Sequence, residues 1–328
     1  MLNRVNKLMA LALLAGVVSV AGAQSISTTI PFTAPTHGIS VDPVRNTIYV
    51  VAPQPGGKTV NLAVIDGSTN TVTTTIPLTV GASYPAVDYL ANRIYVTGCN
   101  THVHPTPCIV TVIDGNTDTI VATIPVTTTA GRGLTGITVN PLNGLVYVAN
   151  ASDDVINVIN GRKAELRSSI SLNGNHPRAI ALNPIFNLLY VPYGNNQTAV
   201  VDAWTKQILT TTTFGDSTVG AAVDVLTGQV FVTDQEAGQS QTGVLGANGK
   251  LVTSITVGDE PLGVDVDPFT SLVFVAAAGA DQVDVINSSN NTLQATVTGV
   301  TASYVAVNPV TQMVYVSGTV GVTVLSEN

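Results

Sequence analysis

The sequence predicts an all-β fold made of seven copies of one four-stranded unit, and three observations carry that reading. An aromatic residue followed by Val recurs as Tyr49-Val50, Tyr95-Val96, Tyr147-Val148, Tyr190-Val191, Phe231-Val232, Phe274-Val275 and Tyr315-Val316, at intervals of 46, 52, 43, 41, 43 and 41 residues. Such a period marks a repeat architecture. Seven residues before each aromatic stands an Asp or Asn: Asp42, Asp88, Asn140, Asn183, Asp224, Asp267 and Asn308. The composition agrees, with 45% hydrophobic and 10% charged residues, Gly 29 and Pro 17. This is too apolar for charge-driven disorder, and it carries no collagen or coiled-coil signature.

The first element, residues 1–23, reads as a leader rather than as part of the fold. Arg4 and Lys7 precede an apolar run from Leu8 to Val20, which ends in Ala21-Gly22-Ala23. A basic start, a short apolar stretch and a small-residue cleavage triplet are the parts of a secretory signal peptide. The run would rise only ~20 Å as a helix, short of the ~30 Å of a bilayer core. Cleavage is expected to leave Gln24 as the N-terminus. The mature chain then carries 10 basic against 20 acidic residues, a net charge of −10. No Arg-Arg pair is present in the leader, so export in the unfolded state, to the periplasm, the cell surface or the medium, is the expectation. No other stretch has 18 uninterrupted apolar residues, so no membrane span is expected in the mature protein, read as a monomer.

Each unit resolves into strands a to d. In the first, Gly38 to Val41 is strand a, Thr47 to Val51 strand b, Leu62 to Ile65 strand c and Val72 to Pro77 strand d. In five units the Asx residue is followed by Pro, a turn-initiating pair that separates a from b. Three residues before the aromatic come Asn46, Asn92, Gly144, Asn187 and Gly228, with Ser271 and Gln312 as exceptions. Asn and Gly tolerate positive φ, as a tight turn requires. Strand c tends to end in two aliphatics and an Asx, as in Ile65-Asp66 and Ile286-Asn287. Strand d is rich in Thr, which suits a half-exposed outer strand. Four-stranded units at this spacing predict a seven-bladed β-propeller spanning 24–328 as one domain. The seventh unit lacks strand d, and Ser27-Thr28-Thr29-Ile30-Pro31-Phe32 reads as its replacement from the other end of the chain. That strand would complete the last blade and remove an open edge.

The segments Tyr147-Val148-Ala149-Asn150 and Tyr95-Val96-Thr97 resemble the signature of the YVTN-repeat propellers. So does Gly258-Asp259-Glu260-Pro261-Leu262-Gly263-Val264-Asp265 at the entry to a strand a. The resemblance covers essentially the whole mature chain. It implies an exported or surface propeller. Family members include cell-surface and exported proteins, one DNA-binding periplasmic protein and many of no known role, and related propellers include lactonases. Fold does not settle function among them.

The d-to-a and b-to-c connections share one face. The b-to-c loops are long in unit 1 (Pro53 to Lys58), unit 2 (Gly98 to Cys108) and unit 5 (Asp234 to Thr242). Binding and unconstrained drift both account for that. The two cysteines, Cys99 and Cys108, bracket the second of these loops. In an exported chain they predict a disulfide, and the alternative is a Cys-His-His-Cys metal site with His102 and His104. The d-to-a connections hold His37, Tyr84, Arg132, His176, Arg178, Asp216, Asp259 and Glu260. This annulus is read either as a site for an anionic or zwitterionic ligand or as a solvated rim. A lactonase-like hydrolase would draw its base and electrophile from His176, Arg178 and Glu260. No G-x-S-x-G, H-E-x-x-H, P-loop or C-x-x-C occurs, and no cofactor is called for. The Asx-rich stretches Asn150 to Asp154 and Gly279 to Asp281, and the lone Trp204, are read as turns. The favoured function is a non-catalytic scaffold that binds a protein or small ligand through this face. Nucleic acid is disfavoured by the net charge of −10, because phosphate binding draws on clustered Lys and Arg.

Overall fold

A computed structural model describes residues 24–54, 59–78, 81–99, 107–126, 133–236 and 240–327. These form seven antiparallel sheets of four strands each, arranged as a β-propeller. The only helical element among them is one 3-10 turn, Ala278–Ala280. In blade 1 the strands are Ile39–Asp42 (a), Thr47–Pro53 (b), Val60–Asp66 (c) and Thr71–Leu78 (d). Blades 2 to 6 occupy 82–125, 134–171, 181–213, 218–256 and 261–298. Blade 7 takes strands a to c from Tyr304–Asn308, Met313–Gly318 and Gly321–Ser326. Its outer strand is Ser25–Pro31, paired antiparallel with strand c from Ser25↔Ser326 to Pro31↔Gly321. The predicted leader, residues 1–23, lies outside the described residues.

Strand b carries the core of each blade. The seven aromatics that reveal the repeat are the largest fully buried side chains. Tyrosine hydroxyls among them reach sideways to the next blade: Tyr147 donates to Asn187 Oδ1 (3.3 Å) and Tyr190 to the Ala247 carbonyl (3.0 Å). Strand d shows a different pattern. In all seven blades its register against strand c slips by one residue at the same place, as at Val64/Ile65 and Val285/Ile286. The N-terminal strand slips there too, between Ile26 and Thr28. A bulge on every outer edge twists that edge away from further pairing.

The Asx position explains itself in the a–b turn. A side-chain oxygen of each of the seven accepts the backbone N–H of the residue two positions on and, in six of them, that of the residue three positions on. Asp42 takes those of Val44 and Arg45 (2.9 and 3.1 Å), and Asn183 those of Ile185 and Phe186 (3.1 and 3.2 Å). The seven are 0–2% exposed, so the side chain is a buried turn clamp. Where it is Asn, its amide can also tie blades together. Asn140 Nδ2 donates to Asn187 Oδ1 (3.1 Å) and Asn308 Nδ2 to Asn46 Oδ1 (2.7 Å). The residue three before the aromatic has positive φ in every blade, from 50° at Asn92 to 77° at Gly228. Ser271 (60°) and Gln312 (57°) do not depart from the others. The turn imposes the left-handed conformation, and Asn or Gly only lowers its cost.

The last blade ends on Glu327, which is 3% exposed. Its N–H donates to the Gln312 carbonyl, and its Oε2 accepts from Thr270 Oγ1 of blade 6 (2.9 Å). Burial, and next the neighbouring Asp267 carboxylate, push its pKa up to about 8. Burial raises Asp267 as well.

Candidate functional site

The seven innermost strands surround a channel, and one repeat position, in or just before each strand, lines it. Counting four back from the Asx residue gives Gly38, Tyr84, Gly136, Ala179, Gly220, Gly263 and Tyr304. The glycines lie against the next blade's strand a. A Cβ built on Gly220 would stand 2.2 Å from the Leu262 carbonyl oxygen, and one on Gly263 2.6 Å from the Tyr304 Cα. A Cβ on Gly38 would meet the Ser83 carbonyl at 2.4 Å. The absence of a side chain is what lets neighbouring blades approach this closely.

At blades 2 and 7 the same position carries tyrosine, and the two rings meet. Tyr84 and Tyr304 pack edge to face with centroids 5.6 Å apart, and their hydroxyls lie 3.2 Å apart. Burial, and next the proximity of Tyr304, push the Tyr84 phenol far above its usual range, with the Arg178 cation acting in the opposite sense. Both tyrosines and Arg178 line a cavity of about 310 Å³. The remaining wall is mainly aliphatic, with the Gln235 amide as a further polar group. No Asp, Glu or His is among its described lining residues. Arg178 forms none of the ion pairs found among the described residues. Its backbone N–H donates to the Pro192 carbonyl (2.8 Å), which fixes the chain on strand b of its own blade.

The other annulus residues go elsewhere. His176, two residues before Arg178, turns to the b–c loop of blade 3, where its Nδ1 hydrogen-bonds with Asp154 Oδ1. Residues 175–180 belong to no regular strand and Pro177 stands between the two, so strict alternation does not hold there and His176 and Arg178 serve different surfaces. Asp216 donates its backbone N–H to the buried Asp234 carboxylate, as does Ser217 (2.7 Å). Asp259 Oδ1 accepts from Ser240 Oγ (2.9 Å). Glu260 has φ 50° and lies beside Gly279 of its own blade's b–c loop. His37 is exposed, yet enough protein surrounds its ring for desolvation to hold its pKa below the ordinary value. Arg132 lies outside the described residues. Of the eight residues expected at the mouth, the cavity collects Tyr84 and Arg178. Of the set a hydrolase would use, Arg178 lines the cavity, His176 pairs with Asp154 and Glu260 lies beside Gly279.

Cys99 and Cys108 form a disulfide. Their sulfurs are therefore not available as thiolate ligands, and His102 and His104 lie outside the described residues. Among the described residues no cluster of His, Cys, Asp or Glu is placed to hold a metal ion, and no helix is long and apolar enough to cross a membrane. Trp204 is 81% exposed in a c–d turn on the opposite face.

Sequence reasoning missed Tyr304, Gln235 and Asp154. A signal for Tyr304 was available, because it breaks the run of Gly and Ala at one repeat position. Gln235 and Asp154 lie in b–c loops whose paths no periodicity fixes.

No family model matches the chain, and no curated protein does. Among solved structures it is similar to hydrazine synthase from Kuenenia stuttgartiensis. That match has 19% sequence identity and a TM-score of 0.74, and covers 91% of this chain and 97% of that one. At that identity the likeness shows the propeller fold alone. With 1649 chains of solved structures similar, the architecture is too common to name a ligand.

Proposed function

We propose that this chain is an exported, non-catalytic propeller of the YVTN-repeat kind, monomeric, which binds a small ligand or a protein through the face formed by its d–a and b–c loops. The observation that carries the reading is the break in the repeat at the channel mouth. Five blades present Gly or Ala there, and two present tyrosines that pair with each other beside Arg178. A scaffold that served only to close a ring has no use for two large side chains at a position elsewhere kept small. A mostly apolar concavity with a few convergent polar groups is the usual form of a small-molecule site. The hydrolase reading is weaker, because a general base and an electrophile must converge on one atom, and His176 and Glu260 face other loops. Export is supported by the composition of residues 1–23 and is consistent with the Cys99–Cys108 bond.

The test is a panel of anionic, neutral and cationic fragments, screened by ligand-observed NMR against the mature protein and against a Leu262→Trp variant whose indole fills the cavity. Hits that vanish in the variant support the channel mouth as the site. Hits that bind both proteins alike overturn it. N-terminal sequencing of protein recovered from cell fractions tests export. A start at Gln24 outside the cytoplasm is expected, and a retained Met1 in the cytoplasm defeats that part of the reading.

A further inference from the structure

We infer that the channel mouth is a site for a small monoanion of the carboxylate type carried on an apolar body, held by Arg178 and by the paired hydroxyls of Tyr84 and Tyr304. The inference rests on the reading of the channel mouth as the binding face and specifies what binds there.

The charge of the site comes first. Arg178 contributes the one formal charge among the described residues that line the cavity, in a protein whose net charge is −8. An arginine is permanently protonated and offers five N–H donors in a planar fork. None of those of Arg178 meets a protein acceptor among the described residues. A carboxylate matches that fork in shape and charge, and charge-assisted bonds of this type are roughly twice as strong as neutral ones. One cation pairs with one negative charge. A phosphate dianion would want a second cation, which the described wall does not supply.

The tyrosines add a directed donor. Two hydroxyls 3.2 Å apart share one hydrogen bond, in which either can be the donor. The accepting hydroxyl keeps its own proton and can donate it to a third group. Burial pushes the Tyr84 phenol well above its usual range, which keeps its proton in place. The pair therefore meets a ligand as a donor, the role that a carboxylate oxygen requires. The Gln235 amide on the same wall has no protein partner among the described residues and offers further donors.

The rest of the wall sets the body of the ligand. Ile39, Ile137, Ile180, Val264 and Val305 give the cavity an aliphatic lining, and the tyrosine rings add aromatic surface. A hydrated inorganic anion would leave that surface wet. A volume of about 310 Å³ stands at the small end of ligand sites, which points to a body of one ring or a short chain.

The probes are benzoate, benzamide and benzylamine, alike in body and different in head group. Each is titrated by calorimetry into the mature protein and into Arg178→Gln, Tyr304→Phe and Leu262→Trp variants, with melting temperatures confirming that every variant is folded. Benzoate is expected to bind about 10- to 100-fold more tightly than benzamide, and benzylamine not at all. Arg178→Gln should bring benzoate down to the level of benzamide, and Tyr304→Phe should weaken benzoate several-fold. Benzoate binding that is absent, matched by either of the other probes, or unchanged in Arg178→Gln overturns the inference. If benzamide or benzylamine binds as well as benzoate and is lost in Leu262→Trp, the carboxylate assignment falls while the channel mouth stands. If benzoate binds Leu262→Trp as it binds the parent, both fall together.

Discussion

The two ends of the innermost strands treat repetition in opposite ways. At the a–b end, seven Asx residues clamp seven turns, and seven residues with positive φ follow at one spacing. At the d–a end the equivalent position is small in five blades and Tyr in two. A turn clamp answers to one blade's own backbone, so every copy meets the same demand and keeps an Asp or Asn. The channel position answers to the space shared by all seven blades, and there one copy can differ from the next. In a repeat protein, constancy identifies scaffold and departures identify candidate sites.

The largest expected effect tests the scaffold side. Removing residues 24–33 takes the outer strand from blade 7, with its paired register from Ser25 to Pro31, and exposes strand c as a bare edge. The shortened protein should fail to unfold cooperatively and should aggregate. A melting curve like the parent's would show that the ring does not depend on this strand.

Next comes Gly263→Val, which sharpens the comparison at a single repeat position. The new Cβ would stand 2.6 Å from the Tyr304 Cα and 2.9 Å from the Ser303 carbonyl oxygen. Both are main-chain atoms of the next blade and cannot turn aside. Destabilisation of about 3 kcal/mol or more is expected from the overpacking, read as the shift in urea midpoint. If Gly263→Val costs under about 1 kcal/mol, the glycines are not what permits the blades' approach.

The third prediction concerns the a–b end, where one junction departs from the rule. Glu327 stands beside Asp267, and the two buried carboxyl groups share a side-chain hydrogen bond, which requires a proton on one of them. With the Glu327 pKa up to about 8, against ~4.3 in an unfolded chain, the folded state holds a proton that the unfolded state releases. Stability should therefore fall as pH rises from about 4.5 to 8 and level off above. The size is on the order of 5 kcal/mol, at about 1.4 kcal/mol per pH unit across the window. Glu327→Gln keeps the shape of the side chain and has no proton to lose, so its stability curve should be flatter across that window. An equally steep fall in the variant would place the titration elsewhere.

What could be read in the sequence follows the same division. The Asx clamps, the buried aromatics and the completing strand are set by local turn chemistry repeated seven times, and repetition makes a weak signal visible. Tyr84 and Tyr304 stand 220 positions apart, and only the arrangement of the blades brings their hydroxyls together. Arg178 and His176 are two residues apart and look alike as members of a polar loop. Their separation between the channel and Asp154 depends on the irregular path of residues 175–180, which no periodicity fixes. No repeat position marks Glu327, and its burial follows from where strand c of blade 7 delivers it.

The smallest expected effect on stability falls at the mouth, with Tyr84→Phe. The change removes one hydroxyl and keeps the ring, so the edge-to-face packing against Tyr304 at 5.6 Å survives. The lost bond is a single neutral one of 3.2 Å, worth about 1 kcal/mol. Tyr304 keeps its own hydroxyl on the cavity wall, where water can replace the missing partner, so the net cost should lie below about 1 kcal/mol. A buried clamp at the other end has no such access: Asn140 is 1% exposed and serves both the Leu142 N–H and Asn187. Asn140→Ala leaves those groups unsatisfied and should cost about 2 kcal/mol. The two variants, compared by urea titration under one set of conditions, decide whether the channel tyrosines are scaffold. If Tyr84→Phe destabilises as much as Asn140→Ala, the tyrosine pair holds blades 2 and 7 in place, and its departure from the repeat needs no ligand to explain it.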